Sequence, residues 1–112
     1  ELQFHHWLAQ NGKTVDYCGI PDVAEHWNRK GDAFVGQDCR GTYGSGGVFD
    51  PAHPISEAED GHDTVAWVAE QPWSNGRVGT VGSSYAGQVQ IRTALERPPH
   101  LTAIWPDVVT TN

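Results

Sequence analysis

Methionine is absent from this 112-residue chain. A finished translation product starts with one, so a processed chain or a piece of a longer one is expected. Cysteine is scarce: Cys18 and Cys39 are the only two, and neither sits in a Cys-x-x-Cys. They make no disulfide framework; they can pair, but two lone buried thiols are the simpler expectation. Positive charge is scarce too. Seven Lys and Arg against fourteen Asp and Glu give a formal net charge of −7, the opposite of the basic face that nucleic acid selects. No apolar run approaches the roughly 18 residues of a membrane span, and no signal-peptide pattern opens the chain. Neither nucleic acid nor a membrane is therefore an expected partner, while cytoplasmic and secreted locations both stay open. Hydrophobic residues reach only 38%, low for an independent globular unit, although five tryptophans supply large apolar bodies. The length suits one domain or part of one.

What is present alternates. Leu2, Phe4, Trp7 and Leu8 make a loose helical stripe over Leu2–Gln10, closed by Asn11-Gly12. Thr14–Cys18 reads as a short strand before Gly19-Ile20-Pro21. A helix is expected from Asp22, its N-cap, through Val23, Ala24 and Trp27 to Arg29, Lys30 and a closing Gly31, its charges matched to the helix dipole. Ala33–Gln37 reads as a buried strand. Residues 40–54 are glycine-rich, hold Pro51 and Pro54, and read as loop. Ser56 and Glu59 form a capping box for a helix over 56–71, with Val65, Trp67, Val68 and Ala69 as its apolar face and Gly61 as a weak point. A turn at "PWSNG" leads to a strand over Arg77–Val81. A helix over Ser84–Arg97, stopped by Pro98-Pro99, and a last strand over Leu101–Trp105 complete the order.

Alternation at this pitch means βαβ units, so the fold class is α/β. A parallel sheet of Ala33–Gln37, Arg77–Val81 and Thr102–Trp105 is expected, with carboxyl ends on one edge and helices on its faces. Parallel strands are buried on both faces. Too few elements are present to cover a full sheet, so the segment alone is expected to expose an apolar edge and to aggregate or stay partly molten.

The chemistry concentrates at Ser84. A nucleophilic serine on a sharp strand-to-helix turn has its hydroxyl lifted clear of the sheet, and small neighbours at −2 and +2 let the backbone bend. Gly82 fills −2 and Ala86 fills +2. The following helix would aim its N-terminus at the serine, so that the amide of Tyr85 could stabilise an oxyanion. The five residues alone fit a plain N-cap serine equally well; the strand–turn–helix context favours the nucleophile. The loop "RGTYGSGG" has no Lys-Ser/Thr and no GxGxxG, so it is not read as a phosphate cradle. The six histidines lack metal spacing, since His5 and His6 are adjacent and His26, His53, His62 and His100 are scattered. No metal and no cofactor are expected. Asp60-Gly61-His62-Asp63 is read as the solvated acidic face of a helix's first turn. Arg40 reads as structural, either a buried ion-pair partner of Asp38 or a loop contact to the acidic helix.

Four stretches together resemble the cocaine-esterase and X-prolyl dipeptidyl-peptidase superfamily of α/β-hydrolases, which includes α-amino-acid ester hydrolases and glutaryl-cephalosporin acylases. They are QDxRG with the following SGG, EAEDGxDTxxW, QPWSNGxVG and GxSYxG, and the resemblance runs from about Ala24 to Pro106. It implies a partial α/β-hydrolase fold, with residues 1–112 a segment of one domain in which 1–22 fit poorly. It implies Ser84 as acylated nucleophile and the Tyr85 amide as one oxyanion donor, with the motif's glycine at Gly87. A second donor in this family is a tyrosine hydroxyl, which falls on Tyr17, although Asp16 replaces the family's proline and Cys18 intrudes before Gly19. Asp32 departs as well, standing where an aromatic residue is usual.

The family orders its triad Ser, acid, His. His100 is the only histidine after Ser84, and a helix of about 13 residues puts it roughly 20 Å from Ser84. Asp107 ends the last strand, whereas the family's acid comes much later. The expectation is a nucleophile-bearing segment whose acid and base lie beyond Asn112, in the rest of the parent hydrolase domain. Its substrate would be a small ester, amide or short peptide. X-prolyl peptidase activity and a noncatalytic truncated α/β module are the alternatives.

Overall fold

The computed structural model describes residues 4–7, 20–50 and 52–110, which fall into two compact units, Glu1–Phe49 and Asp50–Asn112. In the first unit, β1 (Phe4–Trp7) is followed by α1 (Ile20–Asn28) and β2 (Phe34–Gln37). β1 is a strand where the apolar stripe predicted a helix. It pairs antiparallel with β2, Phe4 opposite Gln37 and Trp7 opposite Phe34. A few apolar residues fit either period, and pairing with a strand some thirty positions away settled the choice. The expectation of a parallel partner for Ala33–Gln37 is corrected by the same pairing. The strand expected at Thr14–Cys18 lies outside the described residues.

α1 starts two residues before the expected N-cap. Pro21 fits the first turn, where no N–H is needed, and Asp22 sits inside that turn, where its charge still favours the helix. Ala24 is fully buried. Lys30 lies 5.4 Å from the Trp27 ring centroid; the helix stops at Asn28, before the expected Arg29 and Lys30, and Gly31 takes φ +91° in the turn that follows. The following loop ties itself down. Ser45 is buried and donates to Asp38 O at 2.8 Å, while Gly41 N–H donates to Gly46 O at 2.9 Å.

The second unit runs α2 (Pro54–Glu70), β3 (Val78–Ser83), α3 (Tyr85–Leu95) and β4 (Leu101–Asp107). The Ser56–Glu59 capping box is not formed: His53 is the N-cap and Pro54 opens the helix. Ser56 instead donates from within the first turn to His53 O at 2.9 Å. Proline sits in the opening turn of both α1 and α2, and the apparent cap residue falls inside the helix. Ala58 and Val65 of α2 and Val78 of β3 make the small core of this unit.

α2 packs on α3, and Gly61 is the reason it can. A Cβ there would lie within the Thr93 side chain, 2.9 Å from Thr93 Cβ. The residue read as a weak point is thus a close-approach site between helices. β3 and β4 run parallel as expected, from Val78 opposite Leu101 to Ser83 opposite Asp107, with α3 as the crossover. Val81, Ile104 and Trp105 stay exposed, Trp105 at 68%. No helix among the described residues is long and apolar enough to cross a membrane.

Candidate functional site

β3 ends at Ser83 and α3 begins at Tyr85, so Ser84 alone makes the turn between them. Its backbone has φ 55° and ψ −120°. A side chain in positive φ is uncommon and costs on the order of 1–3 kcal/mol. Ser84 stands at the N-cap position, yet its hydroxyl makes no capping bond to the helix, and the residue is exposed. The plain N-cap reading therefore fails at the hydroxyl.

The neighbours explain how the turn closes. A Cβ on Gly82 would lie 2.7 Å from Ala86 Cβ, closer than real carbons approach. Glycine at −2 makes room for alanine at +2. A Cβ on Gly87 would come 3.0 Å from Asp107 O and 3.2 Å from Gly82 O, so α3 meets the strand ends only through glycine. Ser84 N–H donates to Asp107 O at 2.9 Å, which fixes the turn to the end of β4. The first intrahelical bond runs from Gln88 N–H to Ser84 O at 3.0 Å. The amides of Tyr85, Ala86 and Gly87 precede that ladder, as the first N–H groups of any helix do, beside the exposed serine.

Two side-chain sets support this turn, and the sequence reading singled out neither. Gln90, on the inner face of α3, is 5% exposed and bonds to β3, to β4 and to the first turn of its own helix. A glutamine on a face otherwise lined by Gly87 and Thr93 was the available signal. The second set joins α3 to α2. The Tyr85 hydroxyl donates to one oxygen of Glu57, and Arg92 pairs with the other. The Glu57 side chain is only 10% exposed and that of Arg92 31%, so the pair is held largely out of water. It anchors the ring of the residue that follows the serine.

The other expected residues fall in different places. Tyr17 and Cys18 lie outside the described residues. His100 sits at the amino end of β4, its ring Nδ1 3.0 Å from Gly76 O. Ser84 follows the carboxyl end of β3. A six-residue strand at about 3.3 Å per residue separates those ends by roughly 20 Å. Asp107 does end β4 beside Ser84, linked through its backbone carbonyl. Asp60 is buried, 9% exposed, which corrects the reading of 60–63 as a solvated first turn; α2 begins at Pro54, so these residues lie in its second and third turns. Arg40 is exposed, and Gly47 leaves room for its stem: a Cβ there would meet Arg40 Cγ at 2.8 Å. Among the described residues, no three His, Cys, Asp or Glu side chains gather as metal ligands would.

Comparison with known proteins adds the family. Cocaine esterase from Rhodococcus sp. (strain MB1 Bresler) is 44% identical over 80 residues, 71% of this chain and 14% of that protein. A protein named as a putative serine esterase, from Mycobacterium bovis (strain ATCC BAA-935 / AF2122/97), is 34% identical over 76 residues, 68% of this chain and 12% of its own length. A second protein so named, from Mycobacterium tuberculosis (strain CDC 1551 / Oshkosh), matches to the same extent. The chain thus spans a small part of the relatives it matches. The sequence pattern of the X-Pro dipeptidyl-peptidases of the S15 family covers residues 3–112, and with a parallel β3–α3–β4 unit in place the chain belongs to that family of α/β-hydrolases.

Proposed function

We propose that the protein carrying this segment is a serine hydrolase that cleaves ester or amide bonds by acyl transfer, with Ser84 as nucleophile. The observation that carries this reading is the conformation of Ser84: a positive-φ serine at a helix N-terminus whose hydroxyl does not cap the helix. Strain of that kind persists where surrounding structure holds it and a task requires it.

Ser84 Oγ attacks the carbonyl carbon as a histidine takes its proton; the carbonyl oxygen becomes an oxyanion, met by the Tyr85 N–H and by the Tyr17 hydroxyl. Collapse expels the alcohol or amine, which takes the proton from the histidine. Water then repeats the sequence on the acyl-enzyme and releases the acid. His100 stands at the wrong end of the sheet for this work, and the Ser, acid, His chain order of α/β-hydrolases puts the triad acid and histidine later in the same hydrolase domain, of which residues 1–112 are one segment. The names of the relatives favour esters. The family description favours peptides with proline at the second position, and that is the second reading.

The test uses the full-length protein and a fluorophosphonate, which labels an activated serine. Labelling is expected in the parent, lost in Ser84→Ala and kept in Ser83→Ala. Loss in Ser83→Ala with retention in Ser84→Ala would move the nucleophile by one residue and overturn the assignment. Turnover of p-nitrophenyl acetate against Gly-Pro-p-nitroanilide then separates esterase from X-prolyl peptidase.

A further inference from the structure

A primary amide has two N–H donors and one oxygen with two lone pairs, and buried Gln90 uses all of them. Its Oε1 accepts from the Thr80 hydroxyl of β3 at 3.0 Å and from the Trp105 N–H of β4 at 3.0 Å. Its Nε2 donates to Gly82 O and to Ala86 O, both at 3.1 Å. Gly82 and Ala86 stand two residues before and two after Ser84, so a single side chain grips the turn on both sides. The other pair of bonds ties that grip to the two strands. Gly82 also leaves space for the amide, since an added Cβ there would lie 3.4 Å from Nε2.

We propose that Gln90 is the positioning residue of the Ser84 turn, holding the strained serine and the Tyr85 amide in register with the strand ends; this rests on Ser84 being the nucleophile. The place demands donors and acceptors at once. A carboxylate there would set a bare oxygen against two carbonyls, and an apolar side chain would leave buried backbone groups unpaired. Protonated glutamic acid is the near substitute, because it keeps an acceptor and regains one donor. A shift of about 1 Å in a reacting group costs on the order of a hundredfold in rate, so the loss should fall on acylation rather than on substrate binding.

The test uses the full-length protein: fluorophosphonate labelling rate per folded molecule, with kcat and KM for an ester, across about pH 5 to 9. Gln90→Met, similar in volume and without these hydrogen bonds, is expected to lower labelling and kcat about 10- to 100-fold with KM within about twofold. Gln90→Glu is expected to lose as much at high pH and to recover, relative to the parent, as pH falls and the buried carboxyl takes up a proton. Wild-type labelling per folded molecule in both variants would overturn the proposal. So would a loss that only tracks the folded fraction. If Gln90→Met does not fold, Gln90→Glu decides alone, and labelling at a constant ratio to the parent across its folded pH range would overturn the proposal. Labelling that survives Ser84→Ala would instead strike the nucleophile assignment, whatever the Gln90 variants do.

Discussion

The two ends of the β3–β4 pair use positive φ for different purposes. At the amino end the positions are Gly76, at φ 78°, and Arg97, at φ 53°. Both have ordinary causes. Gly76 belongs to the turn before β3, where its N–H donates to Ser74 Oγ at 3.1 Å and Arg77 N–H to Asn75 Oδ1 at 3.0 Å. Arg97 follows α3 in the left-handed turn that commonly stops a helix. At the carboxyl end the positions are Ser84, at φ 55°, and Val108, at φ 51°. Neither a helix start nor a strand end requires positive φ, and a β-branched residue resists it most. One end uses positive φ to turn the chain and to stop a helix; the other places it around an exposed hydroxyl and holds it with Gln90 and the Ser84–Asp107 bond. His100 belongs to the relaxed end, which is why nearness in sequence to Ser84 does not make it a base.

The widest gap between the ends should be in activity. In the full-length protein, Ser84→Ala is expected to lower ester turnover about a million-fold, as loss of a triad member does. His100→Ala should change it by no more than about threefold, the scale of a distant surface change. A comparable loss in both variants, measured by initial rates, would erase the distinction. Glycine substitutions probe the same contrast through stability. Gly82→Ala forces the Cβ contact with Ala86 and is expected to cost about 1–3 kcal/mol, as overpacking does, and to slow labelling of Ser84. Gly76→Ala meets nothing within 4 Å, so only its φ counts. It should cost about 1 kcal/mol and leave labelling unchanged. Urea midpoints with the labelling rates check both.

Strain itself is measurable. Ser84→Gly should be more stable than Ser84→Ala by up to about 1 kcal/mol, because glycine adopts φ 55° freely, while both are inactive. Equal midpoints would mean that Ser84 carries no strain. The smallest effect lies away from both ends, before α2. The hydrogen bond from His53, at 2.6 Å, holds the Asp50 carboxyl below its ordinary value, helped by the Ala52 N–H. A depressed carboxylate stabilises above its unfolded value, and that contribution fades as pH falls through the folded one. The midpoint difference between parent and Asp50→Asn should therefore be slight near neutrality and vanish below the ordinary Asp range. A difference that grew on acidification would reverse the sign.

An element shows in the sequence to the extent that the forces forming it are short in range. α3 and β4 were legible because a helical repeat, a proline stop and a short β-prone run are local signals. Even so, β3 and β4 each run two residues further than read, to Ser83 and Asp107, since pairing extends a strand past its apolar stretch. The starts of α1 and α2 were misplaced because Asp22 and Ser56 look like caps until Pro21 and Pro54 are given the opening turn. β1 was misread because four residues carry too little periodicity to choose, and its partner β2 is distant in the chain. The burial of Asp60 and the bonds of Gln90 were invisible for a related reason: a polar residue's sequence symbol does not say which face it turns inward.

The amino acids by themselves determined the α–β–α–β order from 54 to 107, the small residues around Ser84 and the family to which the pattern belongs. These rest on backbone sterics and short-range periodicity, which act within a few residues. Tertiary structure alone decided that Ser84 adopts positive φ with its hydroxyl uncommitted, that Gly61 is where α2 meets α3, and that one buried amide joins both strands to the helix. Each depends on atoms brought together from separate elements, Gly61 against Thr93 and Gln90 against Thr80 and Trp105, and such contacts exist only once the chain has closed on itself.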